Sequence, residues 1–400
     1  MSRTPSAALG ALAVSAVIAV IACEAPARAV VGVLDPVPAA TLLVPLFEVA
    51  LDDSQANDTL IALASADDLP VLARVTLWSQ RGVAVYAFDV AVPAAGLASI
   101  GMGALLRDGQ LPVTDVSAFP DCEAAPTTLA PAELARVRAA LTGQPDATSG
   151  LCSSDARGDQ HARGYATIDV MAACTPLYPD EPGYFGAGVD ATDNRLIGDV
   201  RQVNPYRHTA VDEAAVPLEA SAVDPLTSGA GAYTFYGALV GWDGSDHRES
   251  LPSRWNATFE DRGDTELVVW RDPKRRVVPY ACATPPEPLA SGQVVAVEET
   301  SHVRDISGWT RLPMVAQAVR IDAPELPSPF RAGYLRLGLD TVASGAPGEP
   351  ASEQVYVATR GRAQRCDDDP RYRIALPGLA VDDMTFDLPD IFGVPTEPLP

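Results

Sequence analysis

The acidic turns are the first residues in this chain whose types and spacing could do chemistry. Asp52-Asp53 with Asn57-Asp58, Asp190 with Asp193-Asn194, Asp243 with Asp246, and Asp367-Asp368-Asp369 all sit in turn-like contexts. Calcium takes roughly six to eight oxygen ligands from a flexible loop, and carboxylates and amides at short spacing can supply them. Asp190, Asp193 and Asn194 are the best metal candidates of the set. None of the groups matches the EF-hand pattern. Asp and Asn are also ordinary turn formers, so a solvated turn is the expected reading of each cluster.

The four histidines, His161, His208, His247 and His302, include no HExxH or other tight metal pair. His247 lies in Asp243-Gly244-Ser245-Asp246-His247-Arg248-Glu249-Ser250. A serine, a histidine and an aspartate in one short loop do not make a triad, whose members converge from separate elements. No G-x-S-x-G elbow or S-x-x-K supplies a nucleophile. Two carboxylates placed for glycoside hydrolysis leave no mark in a single sequence. Aromatics, however, make up only 6% of the chain. Trp78, Trp242 and Trp270 fall inside expected strands, whereas Trp255 and Trp309 are freer to form a sugar platform.

Cysteine chemistry is more informative. Cys122, Cys152, Cys174, Cys282 and Cys366 are widely spaced with no C-x-x-C, which argues against zinc and thioredoxin-type sites and for bridges in an exported fold. One bridge is expected among Cys122, Cys152 and Cys174, and Cys282 with Cys366 is the natural second.

The first 29 residues support the same compartment. Arg3 precedes an apolar run from Ala7 to Ala22, and a polar segment ends at Ala27-Arg28-Ala29, the small-x-small pattern cut by a signal peptidase. Val20-Ile21-Ala22-Cys23 is a rival lipobox in which Cys23 would be lipidated. The expected location is secreted, periplasmic or cell-surface. No later apolar run approaches the length of a membrane-spanning helix. Losing Arg3, Arg28 and Glu24 would turn 29 basic and 52 acidic residues into 27 and 51, a charge of −24. So acidic a body repels phosphate backbones, which excludes nucleic acid as the expected partner and leaves Ca2+, basic partners, or a surface protein or glycan.

Strands are the elements expected to position these groups. Short alternating runs at 41–49, 58–64, 71–78, 83–90 and 164–171, with a turn at Arg81-Gly82, recur at the spacing of an antiparallel sandwich. Further strands are expected at 232–242, 265–270, 294–299, 315–321, 333–339 and 354–359. One helix stands out. Pro131 opens it, Leu134, Val137 and Leu141 share a face, and Gly143 closes it. Lying between Cys122 and Cys152, it reads as part of a bridged insertion rather than a core element.

The segments LLVPLFEV (42–49), ARVTLW (73–78), GYATIDV (164–170), PGYFGAG (182–188), YTFYG (233–237) and LVVWRD (267–272) occur in this order. In them the chain resembles a group of exported bacterial all-β proteins with no assigned activity. That resemblance implies an architecture and transfers no catalytic residue. The expected fold is therefore all-β, an antiparallel β-sandwich of immunoglobulin-like architecture. It would comprise a signal peptide (1–29), a first sandwich (30–200) with a disulfide-bearing helical insertion near 106–162, and a second β-rich region (201–400). The expected role is structural or binding, without a catalytic motif. A secreted hydrolase with a carboxylate or histidine cleft and a calcium-stabilised adhesion module are the alternatives.

Overall fold

The computed structural model describes residues 37–123, 126–186, 193–206, 209–221, 234–237, 246–260, 265–272, 279–282, 293–298, 303–305, 314–320, 332–338, 354–362, 373–377 and 379–380. The first strands are β1 (Thr41–Ala50), β2 (Asp58–Ser65), β3 (Val71–Ser79), β4 (Ala84–Val92) and β5 (Leu97–Gly101). Helices α1 (Met102–Asp108) and α2 (Pro131–Thr142) follow, then β6 (Leu151–Cys152), β7 (His161–Met171), β8 (Leu196–Asn204), β9 (Thr209–Ala214) and β10 (Val216–Leu218). The later strands are β11 (Arg254–Glu260), β12 (Glu266–Arg271), β13 (Tyr280–Ala281), β14 (Gln293–Glu298) and β15 (Val303–Asp305). The last are β16 (Ala316–Arg320), β17 (Ala332–Gly338), β18 (Val355–Arg362), β19 (Arg373–Pro377) and β20 (Leu379–Ala380).

The protein is mostly β, with 48% strand and 10% helix, and its antiparallel sheets pack sandwich-fashion. The first sheet runs β5-β2-β8-β9, the second β10-β1-β7-β3-β4, the third β16-β12-β18-β19 and the fourth β15-β14-β17-β11-β20. Hydrogen bonding passes through residue 200 without a break, because β8 spans it and β10 returns to pair with β1. No helix among the described residues is long and apolar enough to cross a membrane.

The second sheet is covered on both faces. One face packs on the first sheet through Leu42, Val44, Val75 and Ile168 against Ile61, Leu63 and Val200. The other packs on the third sheet through Leu43, Leu46, Trp78 and Tyr165 against Leu267, Val269, Trp270 and Val357. This double cover leaves every residue of β3, and every residue of β1 but Glu48, buried. Each such fully buried side chain contributes on the order of 1.5–3 kcal/mol.

Within β1 the inward parity changes. Leu42 and Val44 face the first sheet, but beyond the register shift between Val44 and Phe47 it is Phe47 and Val49 that do so. Pro45 occupies that shift, where a residue without an N–H costs the ladder nothing. Opposite it, Gly164 lets β7 come close. A Cβ there would lie 2.1 Å from the Trp78 carbonyl oxygen and 2.9 Å from the Phe47 ring.

Both helices close the first core. The α2 boundaries follow Pro131 and Gly143, the latter at φ 70° with its N–H donating to the Ala139 carbonyl. Its Val137 and Leu141 are fully buried in the same core as β1, β3 and β7, so α2 is a core element and not merely an insertion. The reason is that its apolar face is the cover for that end of the second sheet, close to β7 and β4.

Two other expectations change. Within the strand expected at 232–242, the described residues Thr234–Gly237 form a turn, closed by Gly237 N–H to the Thr234 carbonyl with Gly237 at φ 79°. Their apolar character comes from Phe235 inserting into the core, not from a pleated strand. The bridges are Cys122–Cys174 and Cys152–Cys282. Cys282 therefore does not pair with Cys366, because β13 lies against β6 with Tyr280 opposite Cys152 and Ala281 opposite Leu151. Cys366 and Cys23 lie outside the described residues.

Candidate functional site

Residues far apart in sequence meet in one buried cluster. Asp169 on β7 is fully buried, and its carboxylate accepts from Thr41 on β1 (2.5 Å), from the Tyr184 hydroxyl (2.7 Å) and from the Tyr236 hydroxyl (2.9 Å to each oxygen). Fully buried Arg248 stands between two carboxylates, its Nε 3.6 Å from Asp169 Oδ1 and its Nη1 3.5 Å from Asp246 Oδ1. Its Nε also donates to Thr41 Oγ1. Asp246 in turn accepts from the Thr234 hydroxyl (2.5 Å) and the Tyr236 backbone N–H (3.2 Å).

Burial alone would pull the Arg248 guanidinium down. The charges of Asp169 and Asp246 outweigh it, and the group is held more firmly charged than usual. Burial, and after it the Asp169 carboxylate, pushes the Tyr184 and Tyr236 hydroxyls well above their ordinary range. Both phenols are thus protonated donors.

An aromatic path runs away from this centre. Phe185 and Tyr236 lie beneath the Arg248 guanidinium at 5.3 and 5.9 Å. Tyr236 contacts Phe235 (4.9 Å), Phe235 stacks on Trp270 (5.4 Å), Trp270 meets Tyr165 edge-on (6.0 Å), and Tyr165 stacks on Trp78 (5.7 Å). Segments far apart in sequence, from ARVTLW to LVVWRD, are joined here into one interior. Chemically the arrangement is a brace: the Asp169 carboxylate is engaged by internal donors and offers solvent no base.

The residues singled out from sequence fall elsewhere. Asp190 lies outside the described residues. Asp193 pairs with Arg195 at 3.3 Å, and the Asn194 amide exchanges two hydrogen bonds with the Ala220 backbone at 2.8 and 2.9 Å. Among the described residues no three His, Cys, Asp or Glu side chains are grouped to hold a metal ion. Asp243 is also outside the described residues, and Asp246 points inward, so the His247 segment supplies a core partner rather than a cleft constellation. Trp255, the freer tryptophan in sequence, is 1% exposed and stacks edge-on against Tyr356. Trp242 and Trp309 are not described.

A second ionic group went unnoticed in sequence because its members pair across strands. Glu48 on β1 faces His161 and Arg163 on β7, with His161 Nδ1 and Arg163 Nη2 each 2.7 Å from Glu48 Oε1 and Arg163 2.6 Å from Asp159. Burial would raise the Glu48 carboxyl, yet the His161 hydrogen bond and the Arg163 charge bring it down from 4.5 to about 2. The Glu48 hydrogen bond raises the His161 imidazole above 6.5, against partial burial. A lowered acid stabilises above its unfolded value and loses that stability as the pH falls through its folded value. A raised base stabilises below its unfolded value and loses that stability as the pH rises through its folded value. The cluster thus stabilises most between about pH 4.5 and 6.5. The stability difference between wild type and His161→Gln, from urea melts, is expected to be largest below pH 6.5 and to shrink as pH rises. A difference independent of pH would refute the assignment.

No family model, no curated protein and no solved structure matches this chain.

Proposed function

We propose that this is an exported β-sandwich protein of the cell envelope or extracellular space with a structural or binding role, its first 29 residues removed as a signal peptide. The observation that carries the reading is the pair of disulfides, spanning 52 and 130 residues, since such bridges persist in oxidising compartments. The Ala27-Arg28-Ala29 pattern after an apolar run supports it independently. So does the site chemistry, for the strongest cluster of titratable groups is turned inward as a brace.

The test is the intact mass of the protein recovered from a secreting host, before and after reduction and alkylation. A chain beginning at Val30, with four cysteines released by reduction from the two bridges, is expected. A chain beginning at an acylated Cys23 would replace free export with lipid anchoring. Retention of Met1, or all cysteines reactive without reduction, would overturn the reading.

A further inference from the structure

Two segments meet over one end of the second sheet: residues 109–130, between α1 and α2, and residues 172–186, after β7. Where they meet, Leu72, Val116, Met171 and Tyr184 form a small apolar cluster separate from the two main cores. Cys122 and Cys174 pack at its margin, each half-buried, and their bridge ties the two segments together. The later segment serves the buried brace, since the Leu177 carbonyl accepts from Arg74 Nε at 3.0 Å and the Tyr184 hydroxyl donates to Asp169 at 2.7 Å. The earlier segment lies against it. Its Val116 and Phe119 pack in the cluster with Tyr184, and Thr114 Oγ1 accepts the N–H of Ala91 on edge strand β4 at 2.5 Å.

The base of the earlier segment is closed independently of the bridge. Leu111, 6% exposed, enters the first core, and its N–H donates to the Thr127 carbonyl at 2.9 Å. Beyond it Val113 is 91% exposed, and the bonds that shape residues 115–122 are local: Ser117 N–H to the Asp115 carboxylate, Phe119 N–H to the Val116 carbonyl and Cys122 N–H to the Phe119 carbonyl. Such bonds survive separation from the sheet. The two bridges also differ in what an incoming thiolate meets. Attack on one sulfur expels the other, and exchange is slow where the expelled thiolate is poorly stabilised. Cys152 is 1% exposed, with its Sγ 3.1 Å from the Gly143 carbonyl oxygen. It is closed to attack, and expelling it by attack on Cys282 would leave a thiolate buried against an oxygen. Cys122 and Cys174 are both partly exposed, so either sulfur can be attacked and the other leaves where water reaches it.

We propose that Cys122–Cys174 is a redox latch: a dithiol reductant opens it ahead of Cys152–Cys282, and residues 112–122 then lift from β4 and Tyr184 while both main cores stay folded. One thiolate of the dithiol attacks Cys122 Sγ, the S–S bond breaks, and the Cys174 sulfur leaves as a thiolate that takes up a proton. The second thiol of the reductant attacks the mixed disulfide, closes its own disulfide and expels Cys122. Two electrons pass from the dithiol to the bridge. Opening uncovers the β4 edge at Ala91 and the apolar seat of Tyr184, so the state of the bridge is felt at the donor to buried Asp169. Because Leu111 and Thr127 keep the base closed, the two cysteines stay near each other and re-oxidation resets the latch.

The experiment exposes the purified, fully oxidised protein to dithiothreitol under native conditions and is blind to export, so this proposal and the export reading can fail separately. Aliquots are quenched by alkylation, peptide masses assign each alkylated cysteine, and hydrogen exchange is followed in parallel. Cys122 and Cys174 are expected to be alkylated roughly tenfold or more faster than Cys152 and Cys282. Exchange should rise over residues 111–122 and at the Ala91 amide in the same step, while β3 and β7 stay protected. Cys122→Ser with Cys174→Ser is expected to show that raised exchange without reductant. The reduction series on the wild-type chain decides the matter whether or not the double variant folds. Opening of Cys152–Cys282 first or at the same rate, an Ala91 amide still protected once Cys122–Cys174 is open, or loss of protection in β3 and β7 at that step would each overturn the proposal.

Discussion

Arg248→Met is expected to cost about 3–5 kcal/mol of folding stability, read as a lower urea midpoint by tryptophan fluorescence. The size follows from what the substitution leaves behind. Arg248 is fully buried and stands between Asp169 and Asp246, themselves 0% and 5% exposed. Removing the guanidinium leaves both carboxylates in the interior without the cation that stands between them. Double replacement with Asp246→Asn should recover part of the loss, because one of the two stranded charges is then gone. Trp78 and Trp270 lie on the aromatic path leading from this centre, which makes their emission a local reporter. A loss below about 1 kcal/mol would show that the cluster does not brace the sheets.

The second large effect is expected from Cys152→Ser combined with Cys282→Ser. Loop-closure entropy for the 130 residues between them gives roughly 5 kcal/mol, against roughly 4 kcal/mol for the 52 residues between Cys122 and Cys174. The longer bridge is also the covalent tie between the α2 region and a later strand, since β6 and β13 pair over only two residues each. Tyr280 donates to the Ser154 carbonyl at 2.7 Å and lies under Arg81 at 5.6 Å. The measurement is the urea midpoint of the double variant against oxidised wild type. A change within about 1 kcal/mol would mean that the later strand docks without the bridge. Opening Cys122–Cys174 instead is expected to cost somewhat less stability, because it closes the shorter loop.

Much of the secondary structure was legible residue by residue. Pro131 and Gly143 marked the ends of α2 because a missing N–H is tolerated in a first turn and a left-handed residue closes a last one. The runs at 41–49, 71–78 and 265–270 lie on β1, β3 and β12. Strands β8 and β11 escaped notice, as Gly198 and the charged or polar residues spaced along them dilute the apolar pattern. Phe235 and Tyr236 misled in the other direction, because a loop that inserts into a core carries the same apolar residues as a strand.

What the sequence by itself determined is what neighbouring residues decide: the β class, the turns, the helix between Pro131 and Gly143, the acidic balance and the cysteines that suit an oxidising compartment. Only the tertiary structure decided that the second sheet is covered on both faces, that Cys152 joins Cys282, and that Asp169 meets Arg248 through Tyr184, Tyr236 and Thr41. It also decided that Val113 faces outward while Leu111 and Val116 face inward. The physical reason is the range of the interactions. Backbone preferences act over a turn or a pleat, whereas the two bridges join residues 52 and 130 positions apart and Arg248 reaches Asp169 across 79, and nothing in the local pattern of either residue names its partner.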